Sequence, residues 1–364
     1  MSPSPSKGNP TAADDAGLIT RSAAPLNQEM PFSSLREFLT PNEQFYVRGH
    51  FPIPEVDARN WRLKVEGAVA SPFELTYDEL RQLPATTITA TMECAGNGRA
   101  FLEPKVKGVA WDLGAVGNAT WTGVLLSDLL ARAQVRSGAR EVILEGGDKG
   151  AIAEPPRPAG EIHYARSLPM ARATADVLLA FAMNGEPLPP AHGFPLRAIV
   201  PGWFGMASVK WLQRIIVSET AFQGYFQSID YTYWERREGL PTLVPLAEMA
   251  LKAQIARPAM GEILPAGVPY RVHGAAWAGT DEVAQVELST DDGATWQTAA
   301  LLGESVQNAW RFWEWSWTTP AAPRQYSIIA RARDSAGRCQ PAKRNADYGS
   351  YLIHHWLPIS VEVR

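Results

Sequence analysis

Cys94 lies in the stretch Thr91-Met92-Glu93-Cys94-Ala95-Gly96-Asn97-Gly98-Arg99. Its small and glycine neighbours let the backbone turn sharply and approach a large ligand closely. A cationic Arg99 five positions on could favour the thiolate, the form of cysteine that binds metal. A lone cysteine is most often an inert buried hydrophobe, so the case for chemistry rests on its surroundings. The chain has one other cysteine, Cys339, so at most one disulfide can form. No Cys-x-x-Cys-His occurs, which excludes covalently attached c-type haem.

Three further clusters could act with it. Tyr46-Val47-Arg48-Gly49-His50 sets Arg48 and His50 two apart, so on an extended segment they point the same way. Arg48 offers a planar fork for an oxyanion, and a neutral His50 can donate or accept; a solvated loop pair is the plainer alternative. Lys107 and Trp111 follow the cysteine loop, where they read on their own as a charged strand edge and a core tryptophan. The dense run from Pro190 to Trp211 interleaves Gly and Pro with His192, Arg197, Ser208 and Lys210. Glycines let backbone N–H groups reach an anion while Arg and Lys neutralise it, as a phosphate-bearing cofactor requires. Neither GxxxxGK[ST] nor GxGxxG is present. Trp313, Trp315 and Trp317 share one strand face by period two. They read as sandwich core, with a sugar platform or a subunit interface as alternatives. His354 and His355 would fall on opposite faces of a strand and make a poor metal pair.

These residues need elements to hold them. Residues 61–69 alternate as a half-buried strand does, and Thr76-Tyr77-Asp78-Glu79 has capping-box spacing for a short helix ending before Pro84. The β-branched run Thr86 to Thr91 predicts a strand leading directly into Cys94. Gly123 to Ala133 and Ala175 to Met183 have helical apolar spacing, the second ending at Asn184-Gly185. Leu196 to Val200 predicts another strand. This mixture, without a βαβ rhythm, predicts an α+β unit over 32–222. After a linker at 223–244 come alternating runs at 284–289, 311–317, 326–333 and 352–363, with no convincing helix. They predict an immunoglobulin-like β-sandwich over 245–364. Residues 1–31, rich in Ser, Pro, Ala, Asn and Asp, read as a disordered lead-in.

The chain has 364 residues, 46% hydrophobic and 20% charged, enough for two domains. With 34 basic and 38 acidic residues the net charge is −4, so no basic field points to nucleic acid. No apolar run reaches the length of a membrane span. A cytoplasmic location is expected, or a periplasmic one if a leader precedes this sequence.

Taken together, the blocks resemble the sulfite oxidase family of mononuclear molybdenum enzymes, of the haem-free bacterial type. The resemblance covers nearly everything beyond the lead-in: Arg48-x-His50, Met92 to Arg99, Met183-Asn184-Gly185-Glu186-Pro187-Leu188-Pro189, His192 to Arg197, and Pro201-Gly202 through Lys210-Trp211. It implies a mixed α/β molybdopterin-binding domain followed by an immunoglobulin-like dimerisation domain, hence a homodimer. It implies molybdenum bound by the Cys94 thiolate alongside the dithiolene of one molybdopterin; a soft thiolate suits such a site. Tyr46, Arg48, His50, Asp148, His192, Arg197, Ser208 and Lys210 take the family's cofactor-holding positions. Arg48, Arg99, Lys107, Trp111 and Tyr231 take its substrate positions. Two departures stand out: Gly98 replaces a basic residue, and Asp347, with Arg344 nearby, falls where relatives carry a second-domain arginine. Met206-Ala207 also replaces a small-Arg pair. Fewer pocket cations weaken anion binding.

The implied activity is oxygen-atom transfer, sulfite to sulfate, with two electrons passed to an external acceptor such as a cytochrome c or oxygen. The same cofactor acting on another oxyanion or an S- or N-oxide is the alternative within enzymology. A non-catalytic sandwich binding carbohydrate through the tryptophan strand is a remote one.

Overall fold

The β-branched run that opens at Thr86 forms a strand, Thr86–Glu93, paired antiparallel with Val116–Leu125 along its whole length. Its last four residues are buried, so the strand carries Cys94 into the interior. The computed structural model describes residues 17–364. Two five-stranded sheets build the first half. One runs Glu186–Pro187, Leu178–Met183, Val116–Leu125 and Thr86–Glu93, with Arg197–Ile199 also on Leu178–Met183. The other runs Phe73–Thr76, Arg62–Gly67, Leu212–Ser218, Glu141–Ala151 and Glu161–Pro169. Within it Leu212–Ser218 and Arg62–Gly67 are parallel, which needs the long crossover that carries the cysteine loop.

Helices are few and short. Tyr77–Arg81 begins at the expected capping box, with Thr76 Oγ1 accepting from the Glu79 amide at 3.1 Å and Glu79 Oε2 accepting from the Thr76 amide at 2.8 Å. Leu126–Ala133 is the helix expected near Gly123, buried along Leu126, Leu129, Leu130 and Ala133. The helix expected over Ala175 to Met183 is instead the strand Leu178–Met183. That strand is buried on both faces, and a continuous apolar run carries no period to distinguish helix from strand. The α+β expectation thus gives way to an architecture made mostly of strands.

The lead-in expectation also fails in part. Ile19–Ala23 and Leu26–Glu29 pair as a hairpin, and Leu26–Glu29 adds Val47–Arg48 as a third strand. Residues 1–16 of the expected lead-in lie outside the described residues. Composition hid the hairpin because its buried members are polar. Asn27 and Glu29 are fully enclosed, each occupied with backbone amides of the first half.

Thr232–Arg237 and Leu240–Pro245 form a separate hairpin. Beyond it stand a four-stranded sheet (Lys252–Arg257, Pro269–Trp277, Arg311–Thr318, Ala300–Leu302) and a five-stranded one (Ile263–Leu264, Ile359–Val363, Arg324–Asp334, Val283–Ser289, Gln297–Thr298). Trp313 and Trp317 are buried in their shared core, so the tryptophan strand is core and not a binding platform. The last expected strand pair shrinks to Ile359–Val363, and His354 sits in a turn with Nδ1 on the Leu352 carbonyl. Among the described residues, no helix is long and apolar enough to cross a membrane.

Glu29 ties the hairpin to the loop after Trp111: it accepts from the amides of Asp112 (2.9 Å) and Gly114 (3.0 Å) and pairs with Arg21. Glu29→Ala strands these amides without partners. We expect a loss of about 2–3 kcal/mol in urea unfolding, against little change for an exposed control such as Glu304→Ala.

Candidate active site

The cysteine loop is a tight coil of backbone hydrogen bonds. The Cys94 amide donates to Ala115 O (2.9 Å), Asn97 to Cys94 O (2.8 Å) and Arg99 to Gly96 O (3.0 Å). Gly98 sits at φ +93°, which favours glycine, and the Arg99 guanidinium packs where any side chain at Gly96 would stand. The Cys94 thiol is pushed up by burial, with Arg99 and Arg48 pulling the other way.

The thiol opens onto a cleft. Its lining gathers side chains from both sheets: Tyr46, Arg48 and His50 from the third strand of the amino-terminal sheet and just beyond, then Asp148, His192, Arg197, Ser208, Lys210 and Tyr231. The pairing register between Glu141–Ala151 and Glu161–Pro169 shifts between Glu145 and Lys149, and Asp148 falls in that irregularity with its carboxyl buried. Arg197 starts its strand with Nη1 on His192 O (3.0 Å) and Nη2 on Ser208 O (3.3 Å). Ser208 Oγ accepts from the Val200 amide at 3.1 Å, and Lys210 Nζ donates to Ala191 O at 2.9 Å.

Arg48 is placed by the hairpin that composition hid, its Nη1 donating to Asn27 Oδ1 at 3.1 Å. His50 stacks on Tyr164 at 4.5 Å, and its Nε2 lies 2.6 Å from the Tyr231 hydroxyl. Burial, then Arg48, push His50 well below its usual range, so the ring is neutral and its Nε2 can donate to or accept from the Tyr231 hydroxyl according to tautomer. Burial holds the Tyr231 hydroxyl protonated. Arg166, wholly buried, donates to Phe226 O and to Leu246 O (2.7 Å), and Leu246 N donates to Tyr231 O at 2.9 Å; this brackets the segment bearing Tyr231.

Residues 50–226 match the oxidoreductase molybdopterin binding domain, and 244–363 match the Mo-co oxidoreductase dimerisation domain. Sulfite oxidase from Gallus gallus is 37% identical over 93% of this chain and 76% of its own length. The mitochondrial sulfite oxidase of Mus musculus is 37% identical over 94% of this chain, which spans 65% of that protein. The chain belongs to the sulfite oxidase family. The crystal structure of the sulfane dehydrogenase SoxCD from Paracoccus pantotrophus superposes with a TM-score of 0.80, at 26% identity, over 96% of this chain and 92% of that one. The family's cofactor is the molybdenum cofactor, and its dimerisation domain supports a homodimer.

The cleft suits that cofactor. Arg48, Arg197 and Lys210 face it with Asp148 as the one carboxylate in its lining. Burial, then the neighbouring Arg197, lowers Lys210; burial lowers Arg197 to about 10 and raises Asp148. Lys210 and Arg197 resist charging where they stand, and an anionic occupant relieves that cost. Arg197 Nε is buried with no partner among the described residues, leaving a donor unused.

Two sequence expectations need amending. Lys107 is not at the cleft: its side chain is exposed and pairs with Glu154 at 2.5 Å, because the loop bearing it runs along the surface. Trp111 lies behind the lining, edge-on to Tyr46 at 6.5 Å. Arg99 packs over Gly96 of the cysteine loop, outside the residues lining the cleft, with Nε on Ser350 O (3.0 Å) and Nη1 on Val109 O (2.8 Å). Asp347 pairs with Arg236 at 3.0 Å, and Arg344 donates to Gly349 O. Sequence reasoning missed Tyr351, which lies 5.2 Å from both Arg99 and Tyr231 and donates to Asp230 Oδ1 at 2.9 Å. An isolated tyrosine in the last third of the chain carried no signal.

His192 is held neutral, its pKa lowered from 6.5 to about 3 by burial and then by Arg197. The unfolded chain therefore takes up this proton first as pH falls. The stability His192 supplies is full above pH 6.5 and is lost toward pH 3. At pH 5 the loss is about 2 kcal/mol. In cofactor-free protein, urea midpoints of wild type should drop more steeply between pH 7 and 5 than those of His192→Gln; parallel slopes would contradict the assignment.

Proposed function

We propose that this enzyme oxidises sulfite to sulfate at a molybdenum centre held by Cys94, passing electrons to an external acceptor such as a cytochrome c or oxygen. The observation carrying the reading is one cleft that joins a buried thiol to a surplus of cations, Arg197 buried and Arg48 and Lys210 half-buried. In this reading the first half, 32–222, is the cofactor domain, 223–244 a linker bearing Tyr231, and 245–364 an immunoglobulin-like dimerisation sandwich.

Tyr46, His50, Asp148, His192, Arg197, Ser208 and Lys210 would hold the pterin and its phosphate, and Cys94 the metal. Bound there, the cofactor supplies exchange of an oxygen atom and two electrons. Sulfite and water give sulfate, two electrons and two protons. Arg48 and Arg99 offset the charge of the oxyanion beside Cys94. Tyr231, protonated and accepting from the Nε2–H tautomer of neutral His50, orients one substrate oxygen by donating to it. Tyr351 closes the face of Arg99 away from bulk water, which strengthens the clamp. Another oxyanion or an S- or N-oxide is the second reading, favoured by Asp230 standing near Arg48.

Cys94→Ser should abolish turnover and strip molybdenum from the purified protein, because a hydroxyl stays protonated and is a hard, weak ligand. Full metal content with wild-type turnover would sink the assignment. Arg99→Gln should raise KM for sulfite roughly tenfold or more while leaving KM for a neutral sulfoxide nearly unchanged. Equal effects on both would remove the anion clamp.

A further inference from the structure

The cysteine loop is gripped from behind by the second half of the chain. Glu93, one residue before Cys94, is buried with Lys252, whose Nζ lies 2.9 Å from Glu93 Oε1. Trp277 Nε1 donates to Glu93 Oε2 at 2.9 Å. Lys252 Nζ also donates to Asn97 O at 3.2 Å. Asn97 Nδ2 donates to Glu93 Oε1 (3.1 Å) and to Gln254 Oε1 (3.2 Å), while Gln254 Nε2 donates to Leu113 O at 2.8 Å. Asn97 Oδ1 in turn accepts from Ala115 N at 3.2 Å, and Ala115 O accepts from the Cys94 amide at 2.9 Å. An unbroken set of hydrogen bonds thus runs from Lys252 to the backbone of Cys94.

A buried ion pair is a poor source of stability, since apolar replacements of similar volume are often neutral or better. What such a pair can supply is one defined arrangement. Here it also sets a positive charge against the carboxylate of the residue before Cys94, whose charge reaches the thiol. We propose that Lys252, with Gln254 and Trp277, is a positioning residue of the metal site: it fixes the loop 93–97 and cancels the Glu93 charge beside the Cys94 sulfur. The second half of the chain therefore tunes the metal as well as serving dimerisation. This rests on the reading that Cys94 binds molybdenum.

The test uses the molybdenum-loaded enzyme, with metal content, thermal midpoint, molybdenum EPR spectrum and reduction midpoint potential read together. In Lys252→Met the uncompensated carboxylate should lower the potential, shift the EPR spectrum and reduce kcat roughly tenfold, with KM for sulfite little changed. The double variant Glu93→Gln/Lys252→Met, again balanced in charge, should return the potential toward wild type. A Lys252→Met enzyme that melts lower but keeps the wild-type spectrum and potential would make the lysine purely structural and overturn the proposal. Should Lys252→Met fail to fold, Trp277→Phe removes one hydrogen bond to Glu93 and keeps the aromatic bulk. Its spectrum must then move, and an unmoved spectrum is equally fatal. Failure of the parent reading looks different: wild-type protein without molybdenum, or Cys94→Ser that loads normally.

Discussion

Positive charge taken out of water is the constraint on which this molecule turns. Arg48, Arg197 and Lys210 meet in a single cleft, and one carboxylate, Asp148, faces them there. Desolvation penalises each in the charged form, and Arg197 and Arg48 further penalise Lys210. The fold meets this cost by spreading the cations over separate elements and tying each to carbonyls: Arg48 to Gly49, Arg197 to His192 and Ser208, Lys210 to Ala191. The histidines between them are neutral, so they add donors and acceptors without adding charge. A polyanionic cofactor is the complement this arrangement calls for, and the sheets can be understood as the frame that brings the cations together.

Much of this was legible from residue types alone. The turn-forming sequence around Cys94, the Arg48-x-His50 pair and the Gly- and Pro-interleaved run from Pro190 to Trp211 all contribute to one cleft, as their chemistry suggested. The capping box at Thr76 and the strand leading to Cys94 follow from local rules that tertiary contacts had no reason to override. Tertiary context decided the rest. Leu178–Met183 looked helical because an element buried on both faces loses its periodicity. The amino-terminal hairpin looked like lead-in because its anchors, Asn27 and Glu29, are polar residues that satisfy distant amides, and a composition count sees only their polarity. Lys107 shares its neighbourhood in sequence with Trp111 but not in space.

Residues after 222 bring further groups to the cleft and the cysteine loop. Tyr231 follows a segment bracketed by Arg166, and Tyr351 reaches back over Arg99. Leu352 N donates to Ala95 O at 3.1 Å, so even the backbone of the cysteine loop has a partner there. None of these contacts follows a period or a spacing, which is why tyrosines and carbonyls at such positions escape a reading of the sequence.

The buried pair between Glu93 and Lys252 bears on how such proteins can be cut and recombined. Severing the chain near residue 240 would leave Glu93, Asn97 and the rear of the cysteine turn looking out at solvent instead of at Lys252, Gln254 and Trp277. The amino-terminal half is therefore no portable cartridge for grafting onto a foreign scaffold. Drift at either end of the pair must be answered at the other, so the two halves are bound to evolve as one inheritance.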